Sequence, residues 1–360
     1  MLEPVSTRFC RPALLALLLA AAAHSLPAQQ SAPPASAQRP ASSLTVDRDP
    51  VRSPDGDAAA PLTLRKEGDG YVLHTDVEEV ALNCTVLDDH NRLAPNLKKE
   101  DFQVLEDGVR QTLISFLHTD LPVSIALVVD SSGSMNRKRP SVNKSALDLI
   151  EASNPQDEAF VVNFSDQAVL DQDFTSDVGK LRDGLGYIEA RGGTALYDAV
   201  VASADKLASD AKRPKQVLIL ITDGEDNAST LSLEQTIRRV QQLSGPVIYT
   251  IGLLFGDEDM SRSEVKHARQ ALEMLSTETG GMAFFPKSIE QIDQISAEVA
   301  RDIRSQYTLG YHSTRPTTEP GFRRVQVTAE AKGQGKLTVR TRTGYFPVAR
   351  VAKKAVVAEK

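Results

Sequence analysis

The chain has 360 residues, with 41 Lys and Arg against 48 Asp and Glu and a formal net charge of −7. That length suits one large or two modest domains with processing and linker segments around them. No basic stripe is available to neutralise phosphates, which argues against nucleic acid as a partner.

Arg8 and Arg11 precede an apolar run from Ala13 to Ala23, followed by His24-Ser25-Leu26-Pro27-Ala28. The run is well short of the roughly 20 residues that span a bilayer. Residues 1–28 therefore read as a cleavable export signal. The mature chain is expected to be periplasmic, envelope-associated or secreted, with no transmembrane span. Cys84 then stands alone, so no intramolecular disulfide is expected; in its alternating apolar segment it reads as a small buried hydrophobe. Residues 29–70 are rich in Ala, Pro and Ser and read as a flexible linker.

Residues 71–118 read as a β-segment. Val77–Leu87 alternates, Asp88-Asp89-His90-Asn91 supplies turn chemistry, and Phe102–Leu105 with Thr112–Phe116 suggests a hairpin around Glu106-Asp107-Gly108. From about Leu121 the rhythm changes. Val123–Val129 (VSIALVV) is continuously apolar, as a strand covered on both faces must be. A helix is predicted at 140–153, strands at 158–164 and 168–174, and helices at 177–188 and 195–209. Strands at 216–222 and 247–253 then alternate with helices at 233–243, 263–277 and 289–305, with a short strand at 283–285. The fold class is α/β, with a doubly wound, mostly parallel, Rossmann-like sheet over residues 119–305. After Ser305 the pattern returns to alternating strands at 307–312, 323–329 and 336–342. Each flank is too short to make a stable sheet alone, so residues 71–118 and 306–347 are expected to pair into one sandwich with the α/β domain inserted between them. Residues 348–360 read as a tail.

The chemistry concentrates at three loops. Val123–Val129 runs directly into Asp130-Ser131-Ser132-Gly133-Ser134, at the strand end where open α/β sheets place their ligands. Gly192-Gly193-Thr194 precedes a helix, and Gln216–Thr222 ends in Asp223-Gly224-Glu225-Asp226-Asn227. If the strand order is 3-2-1-4-5-6, the first and fourth strands are neighbours, and Asp130 and Asp223 face each other across one crevice. Two carboxylates with the hydroxyls of Ser132, Ser134 and Thr194 make a set of hard oxygen donors suited to Mg²⁺, or to Mn²⁺ or Ca²⁺. Such a set leaves an ion room for a carboxylate from outside. The competing reading is turn capping, which also favours Asp, Ser and Thr. The basic run Arg137-Lys138-Arg139 could steer an acidic partner, but reads first as a solvated helix start.

The segments DSSGSM, GGTALYDAV and LILITDGEDN resemble the three loops of the metal-ion-dependent adhesion site of von Willebrand factor type A domains. Position by position, Asp130, Ser132 and Ser134 match the first loop, Thr194 the second and Asp223 the third. The segments LKKEDFQVLEDGVRQTLISF and YTLGYHSTRP…GFRRVQVTA…LTVRTRTGYF are similar to the flanks of this domain in exported bacterial VWFA-related proteins. The resemblance implies metal-mediated binding of a protein that presents an acidic residue, with Glu225, Asp226, Asn227 and Arg137 as a candidate rim. It implies no catalysis. A phosphatase or hydrolase is the competing function, opposed by the absence of a G-x-S-x-G elbow, a P-loop or a motif-level base for the serines. A structural envelope protein stiffened by its metal is the third reading.

Overall fold

The structure, a computed structural model, describes residues 42–43, 66–67, 70–71, 79–151, 154–186, 191–243, 245–255 and 260–347. The export signal expected at 1–28 and the tail at 348–360 lie outside the described residues, as does most of the linker at 29–70. Three two-residue strands come first: β1 (Ser42–Ser43), β2 (Lys66–Glu67) and β3 (Gly70–Tyr71). The N-terminal flank follows with β4 (Glu79–Leu87), β5 (Phe102–Glu106), β6 (Val109–Gln111) and β7 (Leu113–Leu117). The α/β segment begins with β8 (Val123–Asp130), α1 (Arg139–Glu151), β9 (Glu158–Phe164), β10 (Ala168–Thr175), α2 (Val178–Gly186) and α3 (Leu196–Asp210). It continues with β11 (Lys215–Thr222), α4 (Leu233–Gln242), β12 (Val247–Gly252), α5 (Arg262–Thr279), β13 (Ala283–Phe284) and α6 (Gln291–Arg304). The C-terminal flank supplies β14 (Tyr307–His312), β15 (Arg323–Ala329), β16 (Thr338–Arg340) and β17 (Gly344–Tyr345).

The central sheet has the order β1-β10-β9-β8-β11-β12-β13. Counted from β8, its six main strands stand 3-2-1-4-5-6, as expected. Strands β9 to β13 through β8 are parallel, and β10 returns antiparallel on β9. All eight residues of β8 are buried. The two-residue period of a strand explains how this is done. Ile125, Leu127 and Val129 pack with Val142 and Leu149 of α1, Leu181 of α2 and Ile292 and Val299 of α6. Ala126 and Val128 pack on the other face with Leu196 and Val200 of α3, Val240 of α4 and Leu272 of α5. No helix among the described residues is long and apolar enough to cross a membrane.

Each antiparallel sheet of the flanks draws strands from both sides of the α/β segment. One has the order β16-β4-β14-β7 and the other β17-β15-β5-β6. They face each other across a core containing Leu82, Val86, Val104, Leu309 and Val325. Cys84 lies in the same core, where burial pushes its thiol up to about 12 and leaves it an inert hydrophobe.

The expected hairpin needs correction. The turn at Asp107 and Gly108, both at positive φ, joins β5 to β6 alone. At Thr112 the chain crosses, and β7 pairs with β14 in the opposite sheet. Alternation marks both stretches as strands and is silent on which sheet each joins.

A buried polar cluster stitches the flanks together. Glu106 on β5 accepts from Tyr311 Oη on β14 (2.7 Å), Tyr345 Oη on β17 (2.9 Å) and Ser313 Oγ (2.5 Å). Arg323, fully buried on β15, stands 3.5 Å from the same carboxylate and donates to the carbonyls of Arg315, Pro316 and Glu319. Glu106→Ala leaves that guanidinium without its carboxylate, and urea denaturation is expected to show a loss of about 3–5 kcal/mol. Burial and the Glu106 carboxylate also hold the Tyr311 hydroxyl well above the usual tyrosine range. The folded state keeps this proton where the unfolded chain releases it near pH 10. The stabilisation is thus whole below that pH and declines above it. The stability difference between wild type and Tyr311→Phe should fall by about 1.4 kcal/mol per pH unit above roughly pH 10, read from urea curves at stepped pH.

Candidate metal centre

Strand pairing brings the two carboxylates together. Val129 of β8 is in parallel register with Ile221 of β11, so Asp130 and Thr222 end neighbouring strands and Asp223 follows immediately. Asp130 is fully buried, and both of its oxygens are engaged. Oδ1 accepts the backbone N–H of Ser132 (2.7 Å), which turns the chain back over the strand end, and Oδ2 accepts Thr222 Oγ1 (2.5 Å). Burial, and the nearby charge of Asp223, raise the Asp130 carboxyl above its ordinary value, while the Thr222 and Ser132 hydrogen bonds oppose the rise.

A short 3₁₀ turn, Gly133–Arg137, then presents the serines. Ser132 Oγ lies 3.1 Å from Ser134 Oγ, and Ser134 Oγ donates to Asp223 Oδ1 (2.8 Å). Three of the five expected donors are thus linked directly, with Asp130 joined through the Ser132 backbone.

Thr194 reaches the same place through braces from two other loops. Its N–H donates to Asn227 Oδ1 (2.9 Å), and its carbonyl accepts the N–H of Asn227 (3.0 Å). Gly193 N–H donates to Asp166 Oδ1 (2.6 Å). The glycine pair is required here: Gly192 has φ +85°, and a Cβ on Gly193 would stand 2.8 Å from Asn227 Oδ1 and 2.9 Å from Asp166 Oδ1.

An open cleft of about 230 Å³ lies over these groups, lined by Ser134, Thr194, Asp223, Gly224, Glu225, Asp226, Asn227, Met260 and Glu264. The expected rim divides on inspection. Glu225 lines the cleft, with its carboxylate 3.7 Å from His267 Nδ1. Asp226 turns to the start of α3, accepting Tyr197 N–H (3.3 Å) and Ser229 Oγ (2.5 Å). Asn227 is the Thr194 brace. Arg137 is exposed on the 3₁₀ turn and is not among the residues lining the cleft. Met260 and Glu264, at the start of α5, complete the lining and had no signal in the sequence.

The basic run departs from expectation. Only Arg137 is solvated; Lys138 and Arg139 are buried. Lys138 Nζ donates to Asp223 Oδ2 (2.8 Å) and to the Leu253 carbonyl (3.1 Å), and stands 5.4 Å from the centre of the Phe255 ring. Arg139 donates to the Asp130 carbonyl (2.9 Å) and to Asn163 Oδ1 (2.9 Å). A helix start is normally solvated, but this one lies across the ends of β8 and β12, where strand-end oxygens need donors.

Chemically the cluster offers oxygen alone: two carboxylates and three hydroxyls. Among the described residues no group of three or more His, Cys, Asp or Glu is placed to hold a metal ion. A divalent cation here has to draw on the hydroxyls, and the donors fit a hard ion such as Mg²⁺ or Mn²⁺.

Residues 125–225 match the family model of the von Willebrand factor type A domain. The human inter-alpha-trypsin inhibitor heavy chain H4 is 26% identical over 241 residues, covering 61% of this chain and 25% of that protein. An uncharacterized protein of Synechocystis sp. is 24% identical over 185 residues, covering 49% of this chain and 43% of that one. The chain therefore spans less than half the length of either relative. Among solved structures, a von Willebrand factor type A protein from Catenulispora acidiphila superposes with a TM-score of 0.41 at 15% identity, covering 76% of this chain and 75% of that one. The match begins within β8 and ends in the acidic loop after β11, the two elements that carry Asp130 and Asp223, so the chain contains a segment that matches the von Willebrand factor type A domain.

Proposed function

We propose that this protein is a non-catalytic interaction module, exported from the cell, which binds another protein by coordinating one of its acidic residues through a divalent cation. Asp130, Ser132, Ser134, Thr194 and Asp223 would hold the ion, which supplies a positive centre open to an outside carboxylate. The observation that carries this reading is the linked chain Ser132–Ser134–Asp223 beneath an open cleft. That chain draws oxygen donors from two loops at the strand ends, and Thr194 of a third loop lines the same cleft.

The side chains favour binding over turnover. Ser132 and Ser134 hydrogen-bond each other and Asp223, and no histidine among the described residues hydrogen-bonds either serine. Activating a serine requires a base within hydrogen-bond reach. Lys138, the cation bound at Asp223, is spent on that carboxylate and a carbonyl. A carboxylate arriving at the cleft meets Glu225 and Glu264 at its edge, so without a cation the approach is repulsive.

The test is a calorimetric Mn²⁺ titration paired with capture from envelope extract. Wild type is expected to bind the ion. Asp130→Ala and Asp223→Ala should bind at least the roughly 10–100-fold more weakly that loss of a supporting group costs. Immobilised wild type should retain a partner in Mg²⁺ and release it in EDTA, and folded Asp130→Ala should retain none. Undiminished Mn²⁺ binding by Asp130→Ala, or retention indifferent to EDTA, overturns the reading.

A further inference from the structure

Lys138 fills one corner of the candidate centre, and nothing in the motif requires it there. Its backbone is fixed where the 3₁₀ turn meets α1: its N–H donates to the Met135 carbonyl (2.9 Å) and its carbonyl accepts Val142 N–H (3.1 Å). The side chain is 9% exposed, and its ammonium is bound to Asp223 Oδ2, the oxygen that Ser134 does not use. Its other neighbours, the Leu253 carbonyl and the Phe255 ring, are uncharged. Asp223 is the only carboxylate it pairs with among the described residues.

We propose that Lys138 is a built-in counter-ion that opposes a divalent cation at Asp223 and makes retention of that cation depend on an incoming carboxylate. The inference rests on the metal-dependent reading above and deepens it. With both carboxylates ionised, as coordination of a cation requires, Asp130, Asp223 and the Lys138 ammonium sum to one net negative charge. A divalent cation reverses this to one net positive charge, and a partner's carboxylate restores neutrality. Without the ammonium, the two aspartates alone neutralise the ion, and the outside carboxylate loses that advantage. In a site this buried, an unbalanced charge is costly, so the balance governs occupancy. Metal and acidic ligand therefore bind with positive cooperativity, because each removes the charge excess that the other meets.

The experiment is a calorimetric Mn²⁺ titration of the full chain, in chloride and in acetate at matched ionic strength. It compares wild type with Lys138→Met, Lys138→Gln and Lys138→Arg, and includes Asp130→Ala as the weakened-binding control. The Gln side chain keeps a neutral N–H donor on a slightly shorter stem, so it keeps the test valid if the Met variant does not fold; thermal unfolding in EDTA establishes which variants are folded. The neutral variants are expected to bind Mn²⁺ at least about tenfold tighter than wild type. Lys138→Arg should stay near wild type. Acetate should tighten Mn²⁺ binding in wild type and in Lys138→Arg, and do so less in the neutral variants. If folded neutral variants bind no tighter than wild type while Asp130→Ala still weakens binding, the counter-ion role fails and the metal reading stands. An acetate effect of equal size in wild type and the neutral variants overturns the coupling. If neither wild type nor the neutral variants take up Mn²⁺, both readings fail together.

Discussion

Two carboxylates at the ends of adjacent parallel strands repel each other, and the loops around them are organised to compensate. The register that sets Val129 beside Ile221 leaves Asp130 and Asp223 little freedom to move apart. Like charges so close, out of water, disfavour ionisation unless donors or a cation answer them. The answers come from the Ser132 N–H, the hydroxyls of Thr222 and Ser134, and the Lys138 ammonium. These donors arise from two stretches of chain, residues 132–138 and the end of β11. The loops that carry them are in turn pinned by Asp166 on Gly193 and by Asn227 on Thr194.

What makes that arrangement rigid lies beneath it. A strand buried at every position, as β8 is, has helices against both faces and cannot tilt to relieve its end. The side chains that could coordinate an ion therefore sit on strand termini or within a few residues of them, a firmer support than a long loop provides. At the opposite end of the domain, Tyr249 Oη donates to Asp302 of α6 (2.7 Å), and Arg340 of β16 pairs with the same carboxylate. The α/β segment and the sandwich thus share buried polar contacts as well as a chain.

The sheet was readable in advance because its signals are local. The run VSIALVV can bury both faces only as a central strand, and a β-α rhythm of that length admits few strand orders. The candidate site residues share that locality: each lies at an element end that the pattern itself marks. Less legible was anything decided by direction or by pairing at a distance. Lys138 follows Arg137 in a plain basic run, and only the pitch of the intervening 3₁₀ turn sends one side chain into the site and leaves the other in solvent. Asp226 and Asn227 belong to an acidic loop whose composition fits a rim as well as a brace. Their bonds to Tyr197 and Thr194 come from a segment about thirty residues earlier in the chain. The change of sheet at Thr112 was hidden because both partners, β15 and β14, lie beyond the whole α/β segment.

That last feature has a bearing on how the molecule is made. β4 ends at Leu87, and its neighbour β14 does not begin until Tyr307; β5 waits almost as long for β15. A chain emerging from the ribosome thus presents the first half of the sandwich as unsatisfied β-ribbon, while the α/β segment already holds everything its own sheet needs from β8 to β13. The inserted domain can mature first and bring Leu121 and Gln306 into proximity, so that its compaction acts as a splint for the two flanks. Pairings so distant along the chain are intrinsically slow. The interval before closure is when the apolar faces of β4 and β5 are open to misassociation, and it lengthens whenever the splint is weakened.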